Sequence, residues 1–166
     1  MNIQFTRMAL VALFNSFMLS ACDHDDDPVP EEPQQPEAET RICLRPDYLQ
    51  PGDKIAVISP SYWSDSTSLA KGMDGLREMG FEPVLAPNAA RKYLEKYAGT
   101  PAERAADWEW AYRQPDVKAI MASRGGYGTI QLLPLLDAGL LQEHPKWLIG
   151  YSDITTLLSF SVTADV

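Results

Sequence analysis

Four short apolar runs separated by helical patterns constrain the fold of this 166-residue chain more than any other feature. The first, Lys54-Ile55-Ala56-Val57-Ile58-Ser59, is nearly continuous in apolar residues and of strand length, as expected of a strand buried on both faces. Residues 66 to 79 then set Leu69, Met73, Leu76 and Met79 at helical spacing, with Gly80 in position to end the helix. Residues 81 to 86 read as a second strand. In Thr100-Pro101-Ala102-Glu103, Thr is an N-cap, Pro suits the first helical position, and Glu completes a capping box. The helix that follows is predicted to run to about Gln114, where Pro115-Asp116 breaks it. Residues 117 to 123 form the third strand, 129 to 137 a further helix, and the residues just before Ser152 the fourth strand. Strands alternating with helices imply an α/β fold, a Rossmann-like parallel sheet with helices on both faces, in a single domain. In such sheets functional loops follow the carboxyl ends of the strands.

Charge divides the chain. Of its 23 acidic residues, eight lie between residues 23 and 39, where there is no Lys or Arg, and Arg7 is the only charged residue before them. The rest carries 13 basic and 15 acidic side chains, so the net charge of −9 is largely a property of one segment. No basic patch stands out to neutralise phosphates, which argues against nucleic acid as a partner. Residues 1 to 22 combine Arg7 with an apolar stretch from Met8 to Leu19 that is too short to span a bilayer, the pattern of an export signal. Residues 23 to 43 follow as an acidic, proline-rich tether, with Pro28, Pro30, Pro33 and Pro36 among Glu and Gln, and the folded domain is assigned to residues 44 to 166. His24 among aspartates reads as part of a solvated charge run rather than a metal site. Cys43 reads as a small buried hydrophobe.

Two turns after strands carry the chemistry. Lys146-Trp147-Leu148-Ile149-Gly150-Tyr151-Ser152-Asp153-Ile154 reads as a strand turning into a helix, with Ser152 at the corner where a nucleophilic hydroxyl could stand above the sheet edge. The bland reading is that Ser152 and Asp153 merely cap a helix starting at Ile154. A G-x-S-x-G elbow is only half matched, because Ile154 occupies its last position. The other turn is Arg124-Gly125-Gly126-Tyr127-Gly128, whose glycines leave backbone N–H groups free to hold an oxyanion or an anionic ligand. Dinucleotide binding fits poorly, since Gln131 stands where the fingerprint needs its third glycine, and a turn without a ligand remains the plain alternative. Both turns should emerge on the same edge of the sheet and can meet there.

These residues carry a resemblance. Leu49-Gln50-Pro51-Gly52-Asp53-Lys54-Ile55, Ser59-Pro60-Ser61, Gly99-Thr100 with Glu103-Arg104-Ala105-Ala106-Asp107, Arg124 to Gly128, Pro145-Lys146 and Gly150-Tyr151-Ser152-Asp153-Ile154-Thr155 together resemble the N-terminal domain of the LD-carboxypeptidase family. Microcin C self-immunity peptidases are among its relatives. The resemblance implies a serine hydrolase with a Ser-Glu-His triad that removes the terminal D-alanine from murein tetrapeptides or cuts a related peptide amide. It implies no metal and no cofactor. It makes Ser152 the nucleophile and the backbone of Asp153 an oxyanion donor, with Gly125 or Gly126 as the second donor. It also implies a C-terminal domain supplying the glutamate and histidine, and homodimers among full-length members. Leu19-Ser20-Ala21-Cys22 resembles a bacterial lipobox, so Cys22 is expected to be acylated. The protein would then be exported and held on a membrane of the bacterial envelope, periplasmic or at the surface, through a lipid anchor. Beyond Leu158 the chain departs from the family pattern, and it is expected to be a truncated or frame-shifted N-terminal half. The alternative is a catalytically inactive fragment that at most binds a peptide or a partner chain.

Overall fold

The computed structural model describes residues 43–166. The signal, the lipobox with Cys22, and nearly all of the acidic tether, His24 included, lie outside the described residues. Strand β1 (Lys54–Ile58) leads to helix α1 (Ser66–Glu78) and strand β2 (Glu82–Leu85). Helix α2 (Pro101–Arg113) and strand β3 (Val117–Ala122) follow. After two 3-10 turns come helix α3 (Ala138–Glu143), strand β4 (Trp147–Ile149) and helix α4 (Thr155–Thr163). The four strands form one parallel sheet in the order β2-β1-β3-β4.

Alternation along β1 sends side chains into two separate cores, which is why the run is apolar throughout. Ile55 and Val57 pack with Leu76 of α1 on one face, backed by Met73 and Met121. Ala56 and Ile58 pack on the other against Trp108, Ala111 and Tyr112 of α2, Leu140 and Leu141 of α3, and Leu157 of α4. The strands all run the same way, but β2 is added on one side of β1 and β3 and β4 on the other, so the winding reverses between β1 and β3. The loops leaving their carboxyl ends diverge there, the switch point at which such sheets bind ligands.

Helix α2 starts as its sequence dictates. The Thr100 hydroxyl accepts from the Glu103 N–H at 3.2 Å, and the Glu103 carboxylate accepts from the Thr100 N–H at 2.8 Å. These two bonds satisfy donors that the first helical turn would leave open. At the other end, the buried Lys146 ammonium donates to the Ala111 carbonyl at 2.9 Å and to that of Gln114. This cation closes the helix and anchors the start of β4 to it.

Two local expectations are corrected. The helix predicted over residues 129 to 137 is instead a pair of 3-10 turns, Thr129–Gln131 and Leu133–Leu135, and the α-helix begins only at Ala138. Pro134 explains the break: it has no N–H to give, and its ring collides with the carbonyl four residues earlier in an α-helix. The new start is capped by Asp137, which accepts from the Gly139 N–H at 2.9 Å. Cys43, expected to be buried, is exposed, because the segment it occupies precedes β1 and lies over the surface.

Candidate active site

The loops after β1, β3 and β4 converge at the carboxyl edge of the sheet. Ser152 lies at the turn out of β4 with φ +62°, a left-handed backbone conformation rare for a residue with a Cβ. Gly150 permits the tight approach: a Cβ there would stand 2.5 Å from Ile154 Cγ2. The capping reading of this turn is not what the structure has. No side chain caps the 3-10 turn Ser152–Ile154 or helix α4 behind it, and Ser152 remains exposed.

The glycine turn after β3 meets this elbow. A Cβ on Gly125 would lie 2.9 Å from Ser152 Cβ, 3.1 Å from the Tyr151 carbonyl and 3.2 Å from Ser152 Oγ. Only glycine fits so close to the hydroxyl. Gly126, at φ +137°, is pressed instead against the Tyr62 ring, which a Cβ would meet at 2.4 Å. Of the two glycines, Gly125 is therefore the one that touches Ser152.

Asp153 binds the three loops into one unit. Its Oδ2 accepts from Ser61 Oγ at 2.7 Å and from the Thr129 N–H at 3.0 Å, while its carbonyl accepts from Thr129 Oγ1 at 2.7 Å. Ser61 follows β1 and Thr129 follows β3, and both are fully buried. Sequence reasoning assigned Asp153 only a helix start and a backbone donor, and so missed this side-chain role. No local pattern announces a bond spanning 92 residues.

A second missed residue stands behind the loops. Arg104, 1% exposed, donates to the carbonyls of Gly99 at 3.2 Å, Pro60 at 2.6 Å and Gly128 at 3.1 Å, and to Gln131 Oε1 at 2.6 Å. Its guanidinium also lies over the Tyr97 ring at 5.1 Å. Burial lowers its pKa from the usual arginine value, opposed by Tyr97 and Asp153. Only a planar fork with five donors can serve so many acceptors at once. The signal was available: Arg104, Trp108 and Ala111 share one face of α2, and that face is buried.

His144 is not brought to Ser152. It lines a cavity at the amino edge of the sheet with Val117, Lys118 and Lys146, beyond the far end of β4. No group of three or more His, Cys, Asp or Glu among the described residues could hold a metal ion.

Residues 55–165 match the LD-carboxypeptidase N-terminal domain. The chain belongs to the LD-carboxypeptidase family. A murein tetrapeptide carboxypeptidase of Pseudomonas aeruginosa is 39% identical to it over 112 residues, covering 66% of this chain and 36% of the relative. The microcin C7 self-immunity protein MccF of Escherichia coli is 33% identical over 114 residues, covering 67% of this chain and 33% of the relative. A solved structure of MccF in complex with glutamyl sulfamoyl guanosine superposes with a TM-score of 0.68 at 30% identity, over 75% of this chain and 37% of that one. This LD-carboxypeptidase domain thus spans little more than a third of the length of the relatives it matches.

Proposed function

We propose that this chain is the nucleophile-bearing part of an exported, serine-type LD-carboxypeptidase that releases the terminal D-alanine of murein tetrapeptides or cuts a related peptide amide. The observation that carries the reading is Ser152: an exposed hydroxyl on a left-handed strand-to-turn corner, with the Gly125 backbone against it. An elbow of this kind lifts a nucleophile clear of the sheet and backs it with unpaired N–H groups. In the proposed reaction Ser152 Oγ attacks the scissile carbonyl while a base takes its proton. The oxyanion that forms is held by the backbone N–H groups of Asp153 and Gly125. D-alanine leaves with a proton returned to its amine, and water then releases the acyl group from Ser152.

The base and the group that orients it come from outside residues 43–166. His144 is separated from Ser152 by the length of β4, roughly 15 Å or more at a rise of about 3.3 Å per residue, beyond hydrogen-bond reach. Residues 43–166 alone are accordingly expected to bind peptide without hydrolysing it. Homodimers and a lipid anchor on Cys22 belong to the same proposal.

The test is a chimera in which residues 55–165 replace the matched segment of the Pseudomonas aeruginosa carboxypeptidase. D-alanine release measured by mass spectrometry, lost on Ser152→Ala, supports the reading. A folded chimera that releases D-alanine equally well with Ala at position 152 ends it.

A further inference from the structure

Beside the Ser152 elbow stand two cations without a carboxylate partner among the described residues. The loop after β1 and the segment after β2 are joined edge to edge: Trp63 N–H donates to the Lys96 carbonyl at 3.0 Å, and Ala98 N–H to that of Ser61 at 3.3 Å. The tip of that segment is a tight turn, with Leu94 at φ +49° and Glu95 at φ +54°, closed by Tyr97 N–H donating to the Tyr93 carbonyl at 2.9 Å. This turn sets the Lys96 ammonium among three phenol rings, 5.3 Å from the centroid of Tyr62, 5.6 Å from Tyr97 and 5.5 Å from Tyr127. Arg124, the residue before Gly125, places its guanidinium 5.8 Å from the same Tyr62 ring and reaches the Trp63 carbonyl at 3.5 Å.

The rings hold these charges without neutralising them. A cation over an aromatic face is attracted to the ring quadrupole, and the Lys96 ammonium, which gives one of its three donors to Tyr62, keeps the others for an oxygen ligand. Among the described residues neither Lys96 nor Arg124 forms an ion pair, and the adjacent Glu95 carboxylate is taken by Lys92. A side-chain hydrogen bond with Tyr62 also raises the pKa of Lys96 above the usual lysine value, so it remains charged through neutral pH. The link to the candidate nucleophile is short. Tyr62 presses on Gly126, and Gly125 presses on Ser152.

We infer that Lys96 and Arg124, presented on Tyr62, form a carboxylate-binding subsite that fixes the peptide substrate against Ser152. This rests on the function proposed above and names the part of that substrate the described residues recognise. A carboxypeptidase acts only beside a free terminal carboxylate, and a murein tetrapeptide carries a second one on its internal D-glutamyl residue. Either anion suits an ammonium and a guanidinium held at one tyrosine ring.

The experiment measures binding of L-alanyl-γ-D-glutamyl-L-lysyl-D-alanine, and of its C-terminal carboxamide, to the 166-residue chain by calorimetry or NMR titration. Lys96→Met and Arg124→Gln should each weaken tetrapeptide binding about five- to tenfold, with Lys96→Arg retaining most of it, and raised salt should shrink the difference. If the terminal carboxylate is the ligand, the carboxamide binds the unmodified chain as weakly as the tetrapeptide binds Lys96→Met, and that substitution adds no further loss. If the internal carboxylate is the ligand, the carboxamide binds normally and loses affinity in both variants. Tetrapeptide binding unchanged in both folded variants overturns the subsite while leaving the role of Ser152 open to its own test. An unmodified chain that binds neither peptide removes the proposed substrate, and the subsite with it.

Discussion

Replacing Asp153 by alanine should uncouple the three loops that build the site. Its Oδ2 is the acceptor for Ser61 Oγ at 2.7 Å and Thr129 N–H at 3.0 Å, and both donors belong to residues with 0% exposure. A buried donor left without its acceptor costs about 1–3 kcal/mol, and bonds to a charged acceptor sit in the upper part of that range. Two orphaned donors therefore predict a loss of about 3–5 kcal/mol, a large share of the 5–15 kcal/mol typical of a domain. With a urea m-value near 2 kcal/mol per molar, the unfolding midpoint should fall by about 2 M. Asp153→Asn is the control, because its amide oxygen can accept both bonds and only the charge is lost. It should shift the midpoint by less than half as much. Ser61→Ala removes one donor and its need together, so its effect and that of Asp153→Ala should not add. A midpoint for Asp153→Ala within about 0.3 M of the parent, from unfolding followed by tryptophan fluorescence, would refute the reasoning.

Other outcomes follow from the same geometry. Arg104→Lys should destabilise the chain by about 2–4 kcal/mol in the same assay, since a single ammonium cannot serve the acceptors on Gly99, Pro60, Gly128 and Gln131. Gly125→Ala should sharply reduce D-alanine release in the chimera, because the added Cβ would stand 3.2 Å from Ser152 Oγ; unchanged turnover would argue against the close approach. Lys146, lowered by burial to about 8 from 10.5, releases its proton earlier in the folded state than in the unfolded one. Between those values the unfolded chain binds more protons, so this group makes stability rise with pH, and Lys146→Met should remove that component from urea midpoints compared at pH 8 and pH 10. Cys22→Ser should abolish incorporation of labelled fatty acid in a host that acylates lipoproteins; equal labelling would contradict the lipobox reading.

What could be read in the sequence was whatever chemistry decides locally. Thr100, Pro101 and Glu103 announce a helix start because the bonds they make are with each other, and the structure forms that capping box. The two-sided apolar run of β1 and the alternation of elements suffice for the parallel sheet, since a strand covered by helices on both faces has few other arrangements. Pro134 sits inside a helical pattern, and its missing N–H, not the pattern, decides the local structure there. The site was legible as two turns on one edge, and Gly125 does meet Ser152 there. Its internal supports were not legible. Asp153 reaches Ser61, and Arg104 reaches Pro60 and Gly128, through folding that brings distant loops together, and periodicity carries no record of such contacts.

The role of Ser152 is tested most directly by finding where the acyl group goes. The chimera bearing residues 55–165 is mixed with a tetrapeptide, quenched in acid within the first turnover, digested and sequenced by mass spectrometry. The account predicts an acyl adduct on the peptide containing Ser152, absent from Ser152→Ala. Turnover with no adduct at that residue, or an adduct on a different side chain, would contradict it.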